Sequence, residues 1–360
     1  MRSTLIRTGV WDENAGLPKL NLKPSIVIHM DEMLSVIEDF ILEARKSGAV
    51  SFAELYYRLV SPEYHIGLRK GLIPIYLAAV IHEYKREVII SDQFGQVSLS
   101  ADTLLQINAK PDMFTLSYLD WNPEKEGFVQ SLSECFAEYV VDVEKGANSY
   151  DYVVSAMRRW YMALPKFAKE SKKAADGKKI IKEYQEVLKL LKQNISGNEL
   201  LFERIPKLYG MNEFRESLAD NIKAVKKFYD EYLPNVKKNL IKETKNIFVL
   251  SKEKERVTKM SLSSVIKDWC ESLDQTVFEQ LFTDGTEKCL GLFKSITNDD
   301  ELTITRLAKL ATDLRIEDWD EKVVGLFCSN IKRYKETAEA YHSEVKEAAN
   351  AQNTSTYQIT

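Results

Sequence analysis

Apolar residues recur at three- and four-residue steps through most of this chain, and that spacing predicts helices. Met33, Leu34, Ile37, Phe40, Ile41 and Ala44 make the first stripe, closed by Ser47-Gly48. Ser51 followed by Glu54 three positions on is a capping-box pattern ahead of Leu55, Tyr56 and Leu59, and Pro62 ends that second helix. A third helix is expected over residues 72–85, with Pro74 tolerated in its first turn. Its run from Leu72 to Ile81, L-I-P-I-Y-L-A-A-V-I, carries no charge at all. Two β-prone runs follow, 87–90 and 96–99, joined through Ser91-Asp92-Gln93-Phe94-Gly95 as a hairpin or wing. A short helix over 101–108 and an alternating strand over 113–119 complete this part, and Ile26-Val27-Ile28 reads as a further short strand.

Beyond Trp121 the pattern is helical almost throughout. Phe128, Leu132, Phe136, Tyr139 and Val140 form one stripe, and Val153, Met157, Trp160 and Tyr161 another, which Pro165 breaks. A long helical pattern over 214–250 contains Pro234, which has to kink or split it. Further helices are expected over 265–282, 288–296, 303–310 and 318–341. The predicted fold is mainly α: a winged-helix-like N-terminal domain with a short β-hairpin, followed by an α-helical bundle or arm. The expected divisions are an irregular leader over 1–30, the winged-helix-like domain over 31–121, a helical domain over 122–210, a long-helix bundle over 211–347 and a flexible tail over 348–360.

A chain of 360 residues is too long for one small core and should divide into two or three domains. With 44% hydrophobic and 29% charged residues it has the composition of a globular protein. Cys135, Cys270, Cys289 and Cys328 are too far apart for a C-x-x-C metal pair and read as reduced core residues. The first residues lack the apolar run of a signal peptide, and no stretch reaches the ~18 apolar residues of a membrane span. The expected location is the cytoplasm, with no membrane partner.

Catalytic signatures are missing from the sequence. Gly67-Leu68-Arg69-Lys70-Gly71 has neither the spacing nor the hydroxyl of a phosphate-binding P-loop, and no G-x-S-x-G, H-E-x-x-H, EF-hand loop or G-x-G-x-x-G occurs. His29, His65, His82 and His342 have no histidine partner at metal-ligand spacing. Acidic clusters at Asp299-Asp300-Glu301 and around Glu317-Asp318 read as helix-end groups, with Asp300 capping the helix that follows it. No cofactor or metal is expected, and an enzyme with a site near His65 or Glu317 stands only as a second alternative.

The net charge of −4 supplies no global attraction to nucleic acid, so local charge decides. A recognition helix needs a polar face for base edges, and the charge-free third helix has none. Leu72, Ile73, Ile75, Tyr76 and Val80 are therefore expected to pack on a neighbouring domain. Arg69 and Lys70 before that helix, and Lys85 and Arg86 after it, are candidate phosphate contacts. Residues 165–193 hold nine Lys against four acids, and 223–259 hold ten Lys and one Arg against five. Residues 299–321 reverse the sign, with eight acids against three bases. The lysine-rich helices are either solvated faces or a track for a nucleic-acid backbone, with Lys172, Lys173, Lys178 and Lys179 as its candidate contacts.

The strings H-I-G-L-R-K-G-L-I-P-I-Y-L-A-A-V and I-N-A-K-P-D-M-F-T-L, with S-A-M-R-R-W-Y-M-A-L-P-K-F and E-L-L-F-E-R-I-P-K-L-Y-G downstream, carry a resemblance. Over residues 51–210 the chain resembles a region outside the nucleotide-binding core of large bacterial P-loop ATPases of anti-phage defence, including the BREX-type phage-exclusion ATPases. Residues 301–319 fit more loosely. The resemblance implies a non-catalytic regulatory or assembly region, acting by inter-domain packing with the remainder of a larger ATPase or a partner subunit. Neither a Walker A nor a Walker B motif is present, so no nucleotide-binding residue carries over. The alternative is a nucleic-acid-binding module, with DNA as partner, that uses the lysine-rich helices.

Overall fold

The computed structural model describes residues 2–12, 19–145, 150–211, 217–249 and 259–356. The chain packs as two compact units: Met1–Met162 with Lys189–Lys223, and Ala163–Leu188 with Ala224–Thr360. This division does not fall at the breaks expected after residues 121 and 210.

The first unit opens with helix α1 (Arg2–Arg7) and the paired strands β1 (Trp11–Asp12) and β2 (Lys19–Leu20), so part of the expected irregular leader is ordered, and Val10 is fully buried. Ile26-Val27-Ile28 form no strand; they lie in an exposed turn. Helix α2 (Met30–Ser47) buries the six residues of the predicted stripe. Strand β3 (Val50–Ser51) leads into α3 (Phe52–Val60), whose first turn is capped by Ser51 Oγ accepting from Ala53 N at 3.2 Å. Glu54 does not complete the capping box. It pairs instead with Arg58, whose guanidinium also forms a two-pronged pair with Glu43 of α2 at 2.8 and 2.9 Å. That fork ties α3 to α2 and holds the Glu43 carboxyl below its ordinary range.

Helix α4 (Ile73–Glu83) is the charge-free segment, and it lies against α2 and the later helix α5 (Ala101–Ala109). Ile73, Tyr76, Leu77, Val80 and Ile81 are all at most 2% exposed, inside the core that their own unit forms. At ~2 kcal/mol for each large side chain removed from water, uncovering them would cost on the order of 10 kcal/mol, which rivals the whole stability of a domain. The helix expected to seek a neighbouring domain is thus already enclosed, with Leu72 and Ile75 partly buried at its margin.

Strands β4 (Val88–Asp92) and β5 (Gly95–Val97) form the predicted hairpin. Asp92 Oδ1 accepts from Phe94 N and Gly95 N, and Gly95 takes a φ of 129° that favours glycine. Strand β6 (Thr115–Tyr118) then inserts between β3 and β4, giving the antiparallel order β3-β6-β4-β5. The neighbour of β3 is therefore a strand that arrives after α5, not the outer strand of the hairpin.

The chain continues through α6 (Pro123–Cys135), α7 (Asp142–Lys145), α8 (Asp151–Ala163), α9 (Lys166–Glu170), α10 (Lys182–Lys192), α11 (Gly197–Glu199) and α12 (Ile205–Leu208). In the first unit Phe136 stacks edge-on against Trp160, and Trp121, Tyr150 and Phe202 form a second aromatic group. Pro234 acts by splitting: α13 (Leu218–Asp230) stops, and α14 (Tyr232–Phe248) restarts with the proline in its first turn. The expected helical residues 214–216 and 250, and the charged run 250–258, lie outside the described residues.

The second unit is a helical bundle of α14, α15 (Leu262–Glu271), α16 (Thr286–Lys294), α17 (Asp300–Thr312) and α18 (Glu321–Thr356). Phe248, Trp269 and Phe293 meet at its centre with ring centroids 4.8–6.0 Å apart. Helix α18 runs through Thr356, so the tail expected over 348–360 is helical as far as it is described. The expected cap of α17, Asp300, is not the one found. Asp299 caps α17 by accepting from Leu302 N, while Asp300 reaches the start of α15, accepting from Leu262 N at 2.9 Å and Ser263 N at 3.3 Å. Among the described residues no helix is long and apolar enough to cross a membrane.

Because Asp300 satisfies amides that open α15, Asp300→Ala should destabilise the second unit by about 1–2 kcal/mol. Urea unfolding checks this; an unchanged midpoint would show that water replaces the carboxylate.

Candidate functional site

The segment S-K-K-A-A-D-G-K-K-I (171–180) has no helical period, and A-A-D-G is a turn composition. The structure folds it into a tight hairpin. Lys173 bridges Lys179 antiparallel, Ala174 N donates to Lys178 O at 2.7 Å, and Ile180 N donates to Lys172 O at 3.0 Å. Gly177, at φ 82°, closes the turn and donates to Ala174 O. The four candidate lysines Lys172, Lys173, Lys178 and Lys179 thus project from one ten-residue loop, not from a helix, and all four are exposed.

Three side chains fix the loop backbone to the bundle of its own unit. Glu321 Oε1, at the start of α18, accepts from Lys172 N at 2.7 Å and Lys173 N at 3.0 Å. The Tyr232 hydroxyl donates to Lys173 O at 2.9 Å, and Asn239 Nδ2 donates to Ala175 O. One oxygen of Glu321 is therefore spent on backbone amides rather than on a lysine ammonium. Among the described residues only Lys178 of the four has an ion pair, with Asp176 at 2.9 Å. That ammonium holds the Asp176 carboxyl below its usual range.

Clefts flank the loop tip on both sides. One of about 450 Å³ lies between the loop, α14 and the first turns of α18; Lys173 and Lys242 stand at it. The other, about 360 Å³, is bounded by Ala174–Asp176 of the loop, Phe228, and Asn235, Lys238 and Asn239 of α14. Exposed Lys238 and Lys242 thereby extend the basic surface of the loop along α14.

The other candidate cations do not converge. Arg69 and Lys70 stand before α4, and Lys85 and Arg86 after it, at opposite ends of an eleven-residue helix. Lys70 lies over the Tyr56 ring, 6.0 Å from its centroid, and Arg86 pairs with Glu126 at 2.6 Å. His65 is exposed in a left-handed turn, and His342 Nδ1 accepts from Asp274 N at 2.9 Å. Glu317 and Asp318 lie in a single 3-10 turn, and it is Asp320 that caps α18. Burial raises the Cys289 and Cys328 thiols and pushes Cys270 up to about 12. Among the described residues no group of three or more His, Cys, Asp or Glu is placed to hold a metal.

A second site, in the first unit, escaped the sequence. Asp151 and Arg158 of α8 face a polar pocket of about 360 Å³, with Gln96 of β5 and residues 194–199 on its other sides. Burial pushes the Asp151 carboxyl up to about 6, against the pull of Arg158. The Arg158 guanidinium is occupied with the carbonyls of Gln193 (3.2 Å) and Ile195 (2.6 Å). In the sequence Asp151 looks like any acid opening a helix; only the packing of residue 197 beside it reveals the desolvation. No family model, curated protein or solved structure matches this chain.

Because its folded pKa lies above the unfolded value, Asp151 binds its proton more tightly in the folded state, and stability falls as pH rises from about 4 to 6. Asp151→Asn, which keeps a helix-opening side chain, should be more stable than the parent by about 1–3 kcal/mol at pH 7–8, and no more stable below pH ~4. Urea unfolding at several pH values measures this; a difference constant with pH would contradict it.

Proposed function

We propose that this chain is a non-catalytic binding module whose second unit holds the phosphate backbone of a nucleic acid on the lysine loop. One observation carries the reading: the loop backbone is braced by Glu321, Tyr232 and Asn239, so its ammonium groups stand on a platform built before any ligand arrives. Lys238 and Lys242 widen that platform along α14. Lysine ammoniums are point charges suited to phosphates and indifferent to base identity, so contact with backbone and little sequence preference are expected.

The N-terminal order of helix, strand, helix, helix and hairpin supports a winged-helix-like reading of that part, with α5 and β6 as additions to it. Its hairpin turn presents Phe94, 87% exposed. Membership of a larger anti-phage defence ATPase rests on the resemblance over residues 51–210. With α4 enclosed, the docking face in such an assembly would have to lie elsewhere, and the exposed Tyr57, Val60 and Tyr64 on and beside α3 offer one apolar surface.

In fluorescence anisotropy with a mixed-sequence DNA duplex, affinity should fall steeply with salt. Reversing Lys172, Lys173, Lys178 and Lys179 to Glu should weaken binding by about 100-fold near 0.1 M salt and flatten the salt slope. Reversing Arg69, Lys70, Lys85 and Arg86 should cost far less. Equal affinity of the parent and the loop variant would remove the proposal.

A further inference from the structure

Three features that each cost stability meet at the polar pocket of the first unit. Gln96 of β5 donates from Nε2 to the Tyr150 hydroxyl at 3.5 Å, while its Oε1 is buried and accepts nothing among the described residues. A buried carbonyl left unmet is a net loss to the fold. Turning the amide over would leave its N–H groups unmet instead. Asp151 keeps its carboxyl at the same pocket although burial pushes it up to about 6. Gly197, the poorest choice but proline for a helical position, makes room for that acid: a Cβ there would stand 2.0 Å from Asp151 Oδ1. Stability given up at several residues around one pocket is the mark of a site that binds.

The walls narrow the class of occupant. The pocket of about 360 Å³ lies between the hairpin end of β5, the face of α8 that carries Asp151, Ser155 and Arg158, and residues 194–199. Its charges cancel: Asp151 feels the opposite charge of Arg158, and Glu199 pairs with Arg204 at 2.6 Å. No net charge therefore selects an ion. What the walls offer is donors and acceptors together. Gln96 Oε1 and the Asp151 carboxylate accept, and Arg158, which gives Nη2 to the carbonyls of Gln193 and Ile195, has further N–H groups to donate. At the rim stands Phe94 of the hairpin turn, 87% exposed.

A hydroxyl both donates and accepts, so it satisfies either end of the Gln96 amide and either kind of partner in the walls. A ring with several hydroxyls also has an apolar C–H face to lay on an aromatic side chain. We infer that this pocket binds a neutral sugar, its hydroxyls on Gln96, Asp151 and Arg158 and its ring face against Phe94. The soft terminal torsion of Gln96 lets the amide turn to meet it. The site goes beyond the nucleic-acid reading and does not depend on it.

The test uses the full chain at about pH 7, where most of Asp151 is ionised, and saturation-transfer NMR. The probes are glucose, galactose, mannose, N-acetylglucosamine and ribose, with glucosamine and glucuronate as charged counterparts of glucose. At least one neutral sugar should bind saturably with a Kd of about 1–20 mM. Asp151→Asn should weaken it about fivefold or more while making the chain more stable, and Gln96→Leu about threefold or more. Ser155→Phe, which fills the pocket from α8, should remove binding. Failure of every neutral sugar to saturate below about 100 mM would overturn the site. So would binding unchanged in a folded Ser155→Phe variant or, should that variant not fold, in both Asp151→Asn and Gln96→Leu. Tighter binding of glucosamine or glucuronate than of glucose would overturn the neutral class. Reversal of the four loop lysines should leave sugar binding intact, and Asp151→Asn should leave DNA binding intact, so the two proposals fail separately.

Discussion

A helix with ten successive uncharged residues has no face to give to water, and the first unit is arranged around that demand. Helix α2 and α5 lie against α4, and the unit's own core takes in nearly every large side chain of the run. The enclosure also explains why the cations flanking α4 do not act together. A helix that must be covered along its length keeps its charges at its two ends, where they meet Tyr56 and Glu126. The same helix read as exposed would have looked like a docking element; its cost in uncovered surface keeps it in the core of the unit.

In the second unit the governing economy is that of carboxylates. The 299–321 stretch holds eight acids, yet among the described residues none of them forms an ion pair with a lysine of 165–193. Asp299, Asp300 and Asp320 are committed to helix-opening amides, and Glu321 to the amides of the loop itself. A carboxylate bonded to backbone N–H groups fixes position without bridging to a nearby ammonium. The arrangement therefore stiffens the loop while leaving its positive charge facing solvent. Screening over ~8 Å at physiological salt keeps the chain's net negative charge from cancelling this local surplus at a distance.

The sequence revealed what short-range physics decides. The stripe of α2, the cap at Ser51, the Pro62 stop, the restart at Pro234 and the hairpin through Asp92 each depend on residues within a turn of one another. The failures are long-range. Strand β6 takes a place beside β3 although more than sixty residues separate them in the chain, and no local pattern distinguishes that strand from an outer one. Glu321 braces a loop 149 residues before it, and Asp300 serves a helix 38 residues before it, not its own. The lysines were legible as a charge run, but a run does not say whether its backbone is helix or hairpin. Gly177 and the A-A-D-G composition were the available signal for the latter.

That distinction bears directly on what the lysines can do. On a helix, Lys172 and Lys179, seven positions apart, would share a face, with Lys173 some 100° round from Lys172 and Lys178 turned away from both. In the hairpin, Lys173 and Lys179 are cross-strand partners, and Lys172 and Lys178 adjoin them. Like charges placed directly across a strand pair repel. A loop built this way carries electrostatic strain when it is alone, and the bonds from Glu321, Tyr232 and Asn239 hold it against that repulsion. An anion laid across the loop would relieve the repulsion and add attraction at once. On the proposed reading, the bracing holds ready a site for negative charge, whichever polyanion supplies it.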